Sequence, residues 1–520
     1  MTGWASRAGY AAPFLSAGRT FARQIIVIGA LVLTSLAAFM AVAMMGGWAL
    51  VPPLYLAAAV AAVTRPREAA IGLLVVMIAL EPQTVDTTAY LSAVVYRMPP
   101  GIDGHMPFTV SPLELLLVLT TLAAYFPRAD LPKRNPANVP IVVFLVPLVL
   151  IAGMLYGFRH GAPDNLIYTE ARGIIFSIFA FLLALRLGPG NWGTLAKWTM
   201  IAAAILAAFT LYRYFVYVRP GELETAIEFA FAHESPIFLA TGLMIAGVLA
   251  LREGQTAEQR MGFFLYAALM LAAMIVTQRR AATAVLLVGV LWVGLAYFPR
   301  RPVLVVALGV PLLLLGSVYT AVYWNEEYGA TAQPARAIRS QIDPSPRDES
   351  SDVYRDTERA NVMETLRVSP IFGVGFGREF FQFEPLPDLR DYWPLQYHTP
   401  HQNVLWLWLK MGFAGIVVFL SVAGIAISRC LQTMRSRGSH DTAYLAGVVI
   451  AAVLLMSLIY ATIDLAFTGV RPLALLAGVT GLAFLLYTTS RDEDEYRDEG
   501  QERRDRLKGQ WTRGGKGSTR

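Results

Sequence analysis

Two of the six histidines, His398 and His401, stand in the run Tyr397-His398-Thr399-Pro400-His401-Gln402-Asn403, directly before an apolar stretch. Imidazole titrates near neutrality, so a histidine fixed at such a junction can take a proton from a hydroxyl. Arginines accompany the pair. Arg355 lies upstream in the same polar stretch, Arg279 and Arg280 open one apolar run, and Arg172 opens another. The guanidinium fork fits phosphate oxygens. A base and several cations at a water–lipid boundary suit chemistry on a lipid-linked phosphate. The plainer readings are a snorkelling stem for each arginine and a cap or surface role for each histidine. Two histidines three apart also raise a metal. No further His or Cys lies near them, and Asp348-Glu349-Ser350-Ser351-Asp352 reads as solvated loop, so neither metal nor cofactor is expected.

The elements that must position these residues are membrane helices. Hydrophobic residues make up 56% of the chain and charged residues 15%, and mean hydropathy is +0.50, too apolar for a soluble protein of this length. Apolar runs at 25–45, 48–63, 69–80, 110–126, 139–156, 173–187, 198–218 and 237–251 precede those at 263–276, 281–298, 303–323, 404–427, 444–467 and 473–487. Backbone polar groups in hydrocarbon must be satisfied within each segment. The expectation is therefore an all-α polytopic membrane protein of about fourteen (12–14) transmembrane helices. One large loop, 324–403, carries short helices.

Basic residues set the orientation. Arg65, Arg67, Arg128, Arg252, Arg260, Arg300, Arg301, Arg429 and Arg435 fall on one side of this arrangement, which the positive-inside rule makes cytoplasmic. Both termini and Cys430 are then expected inside, and loop 324–403 outside. The first apolar run lacks a small-residue cleavage site and reads as a retained anchor. Residues 490–520 mix charges with almost no apolar content and are expected to be disordered. The organisation reads as N-terminal helices (1–170), a core with the loop (171–430), C-terminal helices (431–489) and the tail. Aromatics crowd the loop's end: an interfacial belt explains many of them, and sugar stacking on Tyr392 or Trp393 is the sharper reading. Tyr460 and Asp464 read as an inter-helix hydrogen-bonding pair.

Arg355 opens a helical pattern that stops at Ser369-Pro370, and Gly373, Gly375 and Gly377 follow at alternate positions. Such glycines allow a tight turn with close backbone approach to a ligand. They form neither a Rossmann nor a P-loop fingerprint. An outer-loop Arg355, then Pro370 opening Pro-x-x-Gly-x-Gly-x-Gly, then His401 eleven residues before Gly412, resembles the O-antigen ligase/polymerase superfamily. Gln278-Arg279-Arg280-Ala281 is similar to that family's Ser-Arg-Gly-Ala motif. The resemblance covers roughly 170–430 and is sharpest over 355–415. This chain departs from the pattern in having Gln402 after His401 and Arg359 where the family often has Trp.

The resemblance implies a glycosyltransferase of the bacterial inner membrane working on its periplasmic face. It implies a glycan donor on undecaprenyl diphosphate, a glycan or lipid acceptor hydroxyl, and no nucleic acid. His401 is then the base with His398 beside it, and Arg280, Arg279, Arg172 and Arg355 hold the diphosphate. The reaction would invert the anomeric centre without a metal. A ligase and a polysaccharide polymerase of the same superfamily both fit. A transporter or lipid flippase remains the alternative of another class, although it would be expected to place its ionisable residues near the midplane.

Overall fold

A computed structural model of the chain describes residues 51–82, 89–97, 110–126, 138–187, 192–219, 231–326, 329–391, 393–439, 441–465 and 467–491. The expected run at 25–45, the tail beyond 491 and Tyr392 lie outside the described residues. The chain divides into two compact units, 1–61 and 62–520. Only the start of helix α1 (Val51–Thr64) describes the first.

The regular structure described in the second unit is all helix, joined by turns and loops, with no strand among its described residues. Its helices are α2 (Pro66–Ala79), α3 (Ala89–Tyr96), α4 (Pro112–Tyr125), α5 (Leu145–Arg159), α6 (Asp164–Leu187), α7 (Trp192–Arg213) and α8 (Ser235–Ala250). Then follow α9 (Ala257–Val276), α10 (Arg280–Tyr297), α11 (Pro302–Val322), α12 (Gln333–Arg339), α13 (Pro346–Val368), α14 (Asn403–Ser436), α15 (Thr442–Ile463) and α16 (Val470–Arg491). Among the described residues 9 helices are long and apolar enough to cross a membrane, and α1, α4 and α8 are shorter apolar helices. The protein is thus a multi-pass membrane protein. Helix α8 is apolar all round and is buried along nearly its whole length, as expected for a central helix of the assembly. Helix α11 instead has no buried residue.

The polar loop expected at 324–403 contains α12 and the 23-residue α13. Helix α13 ends at Val368, just before Ser369-Pro370, because the residue ahead of a proline is pushed out of helical geometry. Its apolar face meets the following segment in a small core of Val362, Leu366, Val374, Phe380, Leu386, Tyr397 and Leu409.

The chain from 371 to 377 threads between α5 and α14. Gly412 has φ +68 and breaks α14, and the threaded segment takes up the freed backbone groups. The N–H groups of Val374 and Gly375 donate to the Leu409 carbonyl at 2.7 and 3.3 Å, and that of Phe413 donates to the Ile371 carbonyl at 2.9 Å. Gly373, Gly375 and Gly377 all have positive φ. A Cβ on Gly373 would lie 2.1 Å from the Leu409 carbonyl oxygen, and one on Gly375 2.6 Å from the Gly157 nitrogen. The expected close approach is real, but its object is helix backbone rather than a ligand.

Gly412→Ala is expected to destabilise the protein by at least about 2 kcal/mol, since Ala at positive φ is strained and its Cβ would sit 2.1 Å from the Ile371 carbonyl oxygen. Gly424→Ala, in the same helix with open space before its Cβ, should leave the thermal midpoint in detergent unchanged or raise it. Equal midpoints for the two variants would contradict the threaded arrangement.

Cys430 is buried, so its failure to react with an impermeant thiol reagent would say nothing about sidedness. Exposed Ser350 and Ser436 serve instead. In intact cells of a cysteine-free background, Ser350→Cys is expected to label and Ser436→Cys to stay unlabelled. The opposite pattern would invert the proposed topology.

Candidate functional site

Helix α13 assembles the site. Asp352, Arg355 and Glu358 follow one another at a spacing of three, so each neighbours the next along one side of the helix. Asp352 holds the Arg280 guanidinium bidentately, at 3.0 and 2.7 Å. The acidic stretch around it is therefore not the solvated loop expected: Asp352 lies in a helix and anchors that helix to the start of α10. One turn on, Arg355 is half-buried and makes no side-chain hydrogen bond or ion pair with any described residue. Its charge acts on Asp464 at longer range.

Glu358, a further turn along, is buried and grips His401. The His401 backbone N–H donates to Glu358 Oε2 at 2.8 Å, and ring Nδ1 lies 3.1 and 3.2 Å from the two carboxylate oxygens. An ionised carboxylate only accepts, so Nδ1 carries the proton. Nε2 has no partner among the described residues, which leaves its lone pair available. The ring is fixed further by Trp393, edge-on at 5.1 Å between centroids, and by Tyr354 at 5.8 Å. Trp393 therefore packs directly beside His401. Burial pushes the Tyr354 phenol up to about 12, so it stays protonated at neutral pH and is no competing base.

His398 does not join His401. Residues between them are non-helical, and His398 is buried against other groups. Its Nδ1 lies 2.9 Å from Glu170 Oε1, out of line for a hydrogen bond, and its Nε2 lies 3.5 Å from Glu379. Glu170, on α6, also accepts from Lys410 Nζ at 3.0 Å and from the Gly377 N–H at 2.6 Å. Lys410 donates to the Arg378 carbonyl as well, at 2.5 Å. Glu170 and Lys410 are both fully buried, and a buried charge persists only with such partners. This cluster ties α6, the glycine segment and the first part of α14 together. His398 belongs to that scaffold.

The remaining arginines are engaged too. Arg279 donates to the Phe231 carbonyl at 2.9 Å and faces His233 Nδ1 at 3.1 Å. The same nitrogen lies 3.2 Å from Asp464, and the Tyr460 hydroxyl donates to the His233 carbonyl, so Tyr460 and Asp464 do bond across elements. Burial alone would raise the Asp464 carboxyl, but His233, Arg279 and Arg355 together hold it well below the usual carboxylate range. Gln278, just before these arginines, has φ +54 and makes the tight turn between α9 and α10. Arg172 is bound bidentately by Glu114 at 2.5 and 2.7 Å. Glu114 also closes a capping box with Ser111 at the start of α4. No described contact links Arg172 to the α13 side chains. Deeper, Arg213 pairs with Glu81, and Arg471 pairs with Glu234 at 2.8 Å.

The site thus brings together His401, Arg355 and Arg280 through one helix, with Arg279 reaching the same region through Asp464. His398 and the three glycines build the support beneath it. Among the described residues no group of three or more His, Cys, Asp or Glu side chains is arranged to hold a metal ion. Sequence reading overlooked Glu358, although it lies three residues after Arg355; its pairing with His401 crosses 43 residues and leaves no local signal.

A comparison with models of known protein families matches residues 265–420 to O-antigen ligase. No curated protein matches the chain. The matched stretch contains Arg280, Arg355, Glu358, His401 and Gly412, whereas Arg172, Glu170, His233 and Asp464 lie outside it.

The Asp464 geometry has a pH consequence. Its folded value is depressed, so its stabilisation is complete above the unfolded value of about 3.9 and is lost as pH falls below it. Asp464→Asn should lower the melting temperature at pH 7, and the gap from wild type should narrow from roughly pH 4 downward. A gap that persists unchanged to pH 3, or none at pH 7, would contradict this assignment.

Proposed function

We propose, from the match of residues 265–420 to O-antigen ligase, that the chain is a glycosyltransferase of that type using an undecaprenyl-diphosphate-linked glycan as donor. The acceptor is a hydroxyl of lipid A core, a growing polysaccharide or another glycan. Transfer takes place at the periplasmic boundary of the bacterial inner membrane. The observation that carries this reading is the Glu358–His401 pair: a carboxylate fixes the imidazole with Nδ1 protonated and Nε2 free, on the helix that also presents Arg355.

In this reaction His401 Nε2 takes the acceptor hydroxyl's proton as its oxygen attacks the anomeric carbon. The bond from that carbon to the diphosphate oxygen breaks, and its electron pair leaves with the diphosphate. Attack opposite the leaving group inverts the centre. Glu358 stabilises the imidazolium that forms, the role a carboxylate plays behind a catalytic histidine. Diphosphate is a good leaving group, so its departure needs counter-charge more than an acid. Arg355 has no side-chain partner to displace among the described residues, and Arg280 stands a turn away, oriented by Asp352. Preorganised cations in a dry site stabilise developing charge strongly. Arg279 and Arg172, already committed to protein groups, are secondary candidates for the diphosphate. The arginines serve here in place of a cation, and the reaction is metal-independent.

Purified protein supplied with lipid-diphosphate glycan and acceptor provides the test. His401→Ala should lower transfer 10²–10⁴-fold, the usual contribution of a positioned base. Glu358→Gln should act through the same step, lowering kcat with little change in KM. Arg355→Ala should fall severely and Arg355→Lys should recover part, since an ammonium lacks the bidentate fork. EDTA should have no effect. Full activity in His401→Ala would sink histidine catalysis, and loss to EDTA restored by Mg²⁺ or Mn²⁺ would sink the arginine mechanism.

A further inference from the structure

An apolar cavity lies away from this site. It has a volume of about 260 Å³ and runs between α2, α4, α6, α7, α8, α15 and α16. Trp192, Arg252 and Thr442 line one end, and Glu114 and Val470 the other. Along α15, which starts at the Arg252 end, the lining extends from Thr442 to Val453, about 17 Å at ~1.5 Å per residue. That is close to the depth of one leaflet, half of a ~30 Å hydrocarbon core.

The walls are almost wholly apolar, so water gains little by entering, and an empty void of this size would destabilise the fold in proportion to its volume. A hydrocarbon chain fits both the walls and the length. Charge decides which way the chain lies. At the Glu114 end a phosphate would meet a carboxylate already satisfied by Arg172. At the other end stands Arg252, half-buried, with no side-chain hydrogen bond or ion pair to a described residue. Its neighbours are committed: Arg301 binds Glu253 and the Leu251 carbonyl, and Arg300 binds the carbonyls of Met434 and Arg437.

We propose that this cavity is a binding site for one anionic phospholipid, its phosphate held by Arg252 and one acyl chain lying along the cavity towards Glu114. Basic residues at the mouth of a crevice between transmembrane helices recognise lipid headgroups in this way. The Arg252 end lies at the opposite helix ends from His401, and lipid binding there does not rest on the transfer reaction.

Native mass spectrometry of the full chain in detergent, titrated with phosphatidylglycerol or phosphatidylcholine, tests it. Wild type should retain one phosphatidylglycerol per chain in preference to phosphatidylcholine. Arg252→Ala should lose that preference, weakening phosphatidylglycerol binding roughly five-fold. Gly478 lines the cavity and has open space where a Cβ would stand. Gly478→Leu should therefore abolish retention of either lipid while raising the melting temperature in lipid-free detergent, a gain that a misfolded variant would not show. Equal binding of the two lipids by wild type, or unchanged binding in Gly478→Leu, overturns the proposal. So does retention of a polyprenyl phosphate that survives Arg252→Ala.

Discussion

The break in α14 at Gly412 is the constraint on which the rest of the site depends. A helix that stops hydrogen-bonding midway leaves carbonyls and N–H groups that hydrocarbon cannot satisfy. Here the segment 371–377 satisfies them, and it can do so only because glycines stand wherever two backbones meet. Gly153 and Gly157 on α5 belong to the same requirement: a Cβ on Gly157 would lie 2.0 Å from the Phe376 carbonyl oxygen. Once that segment is in place, Gly377 reaches Glu170, Glu170 reaches Lys410, and the short helical stretch ahead of the break is fixed. His401 sits at the head of that stretch. The placing of His401 is inherited from a crossing of three backbones.

Charge is handled on the same principle. Nearly every ionisable group near the site has a matched partner: Arg280 with Asp352, Arg172 with Glu114, Lys410 with Glu170, His401 with Glu358. An unpaired charge beside hydrocarbon is expensive, so such pairing is the condition for having the groups there at all. Arg355 departs from this pattern, and it lies between two of the pairs on α13.

The class of the molecule was legible because apolar runs of membrane length are a local property. So were the end of α13 at Ser369-Pro370 and the spacing of His401 to Gly412. The alternate glycines show in sequence that a backbone can come close there, not what comes close; in the structure it is helix backbone. The counter-charges were not legible for a related reason. Arg172 and Glu114 are separated by 58 residues, Arg280 and Asp352 by 72, and Lys410 and Glu170 by 240. No helical period links positions so far apart. Glu170 stands just before the apolar run 173–187 and Lys410 inside the run 404–427, with nothing local to link them, and Asp352 reads as loop until Arg280 meets it.

Under the proposed reaction the pairing of Arg280 has a mechanical meaning. A diphosphate arriving beside it presents oxygens to the same guanidinium edge that Asp352 occupies, so the two anions compete for it. Asp352, Arg355 and Glu358 share one rigid helix, and displacing the first shifts the setting of the other two. Donor binding and the placing of the base are then a single event. Arg355, with no partner to exchange, supplies attraction before the exchange occurs, and Glu358 carries the change to His401. Apart from Arg355, the site holds these charges paired until a dianion arrives, and the helix that keeps them paired is the one that must respond.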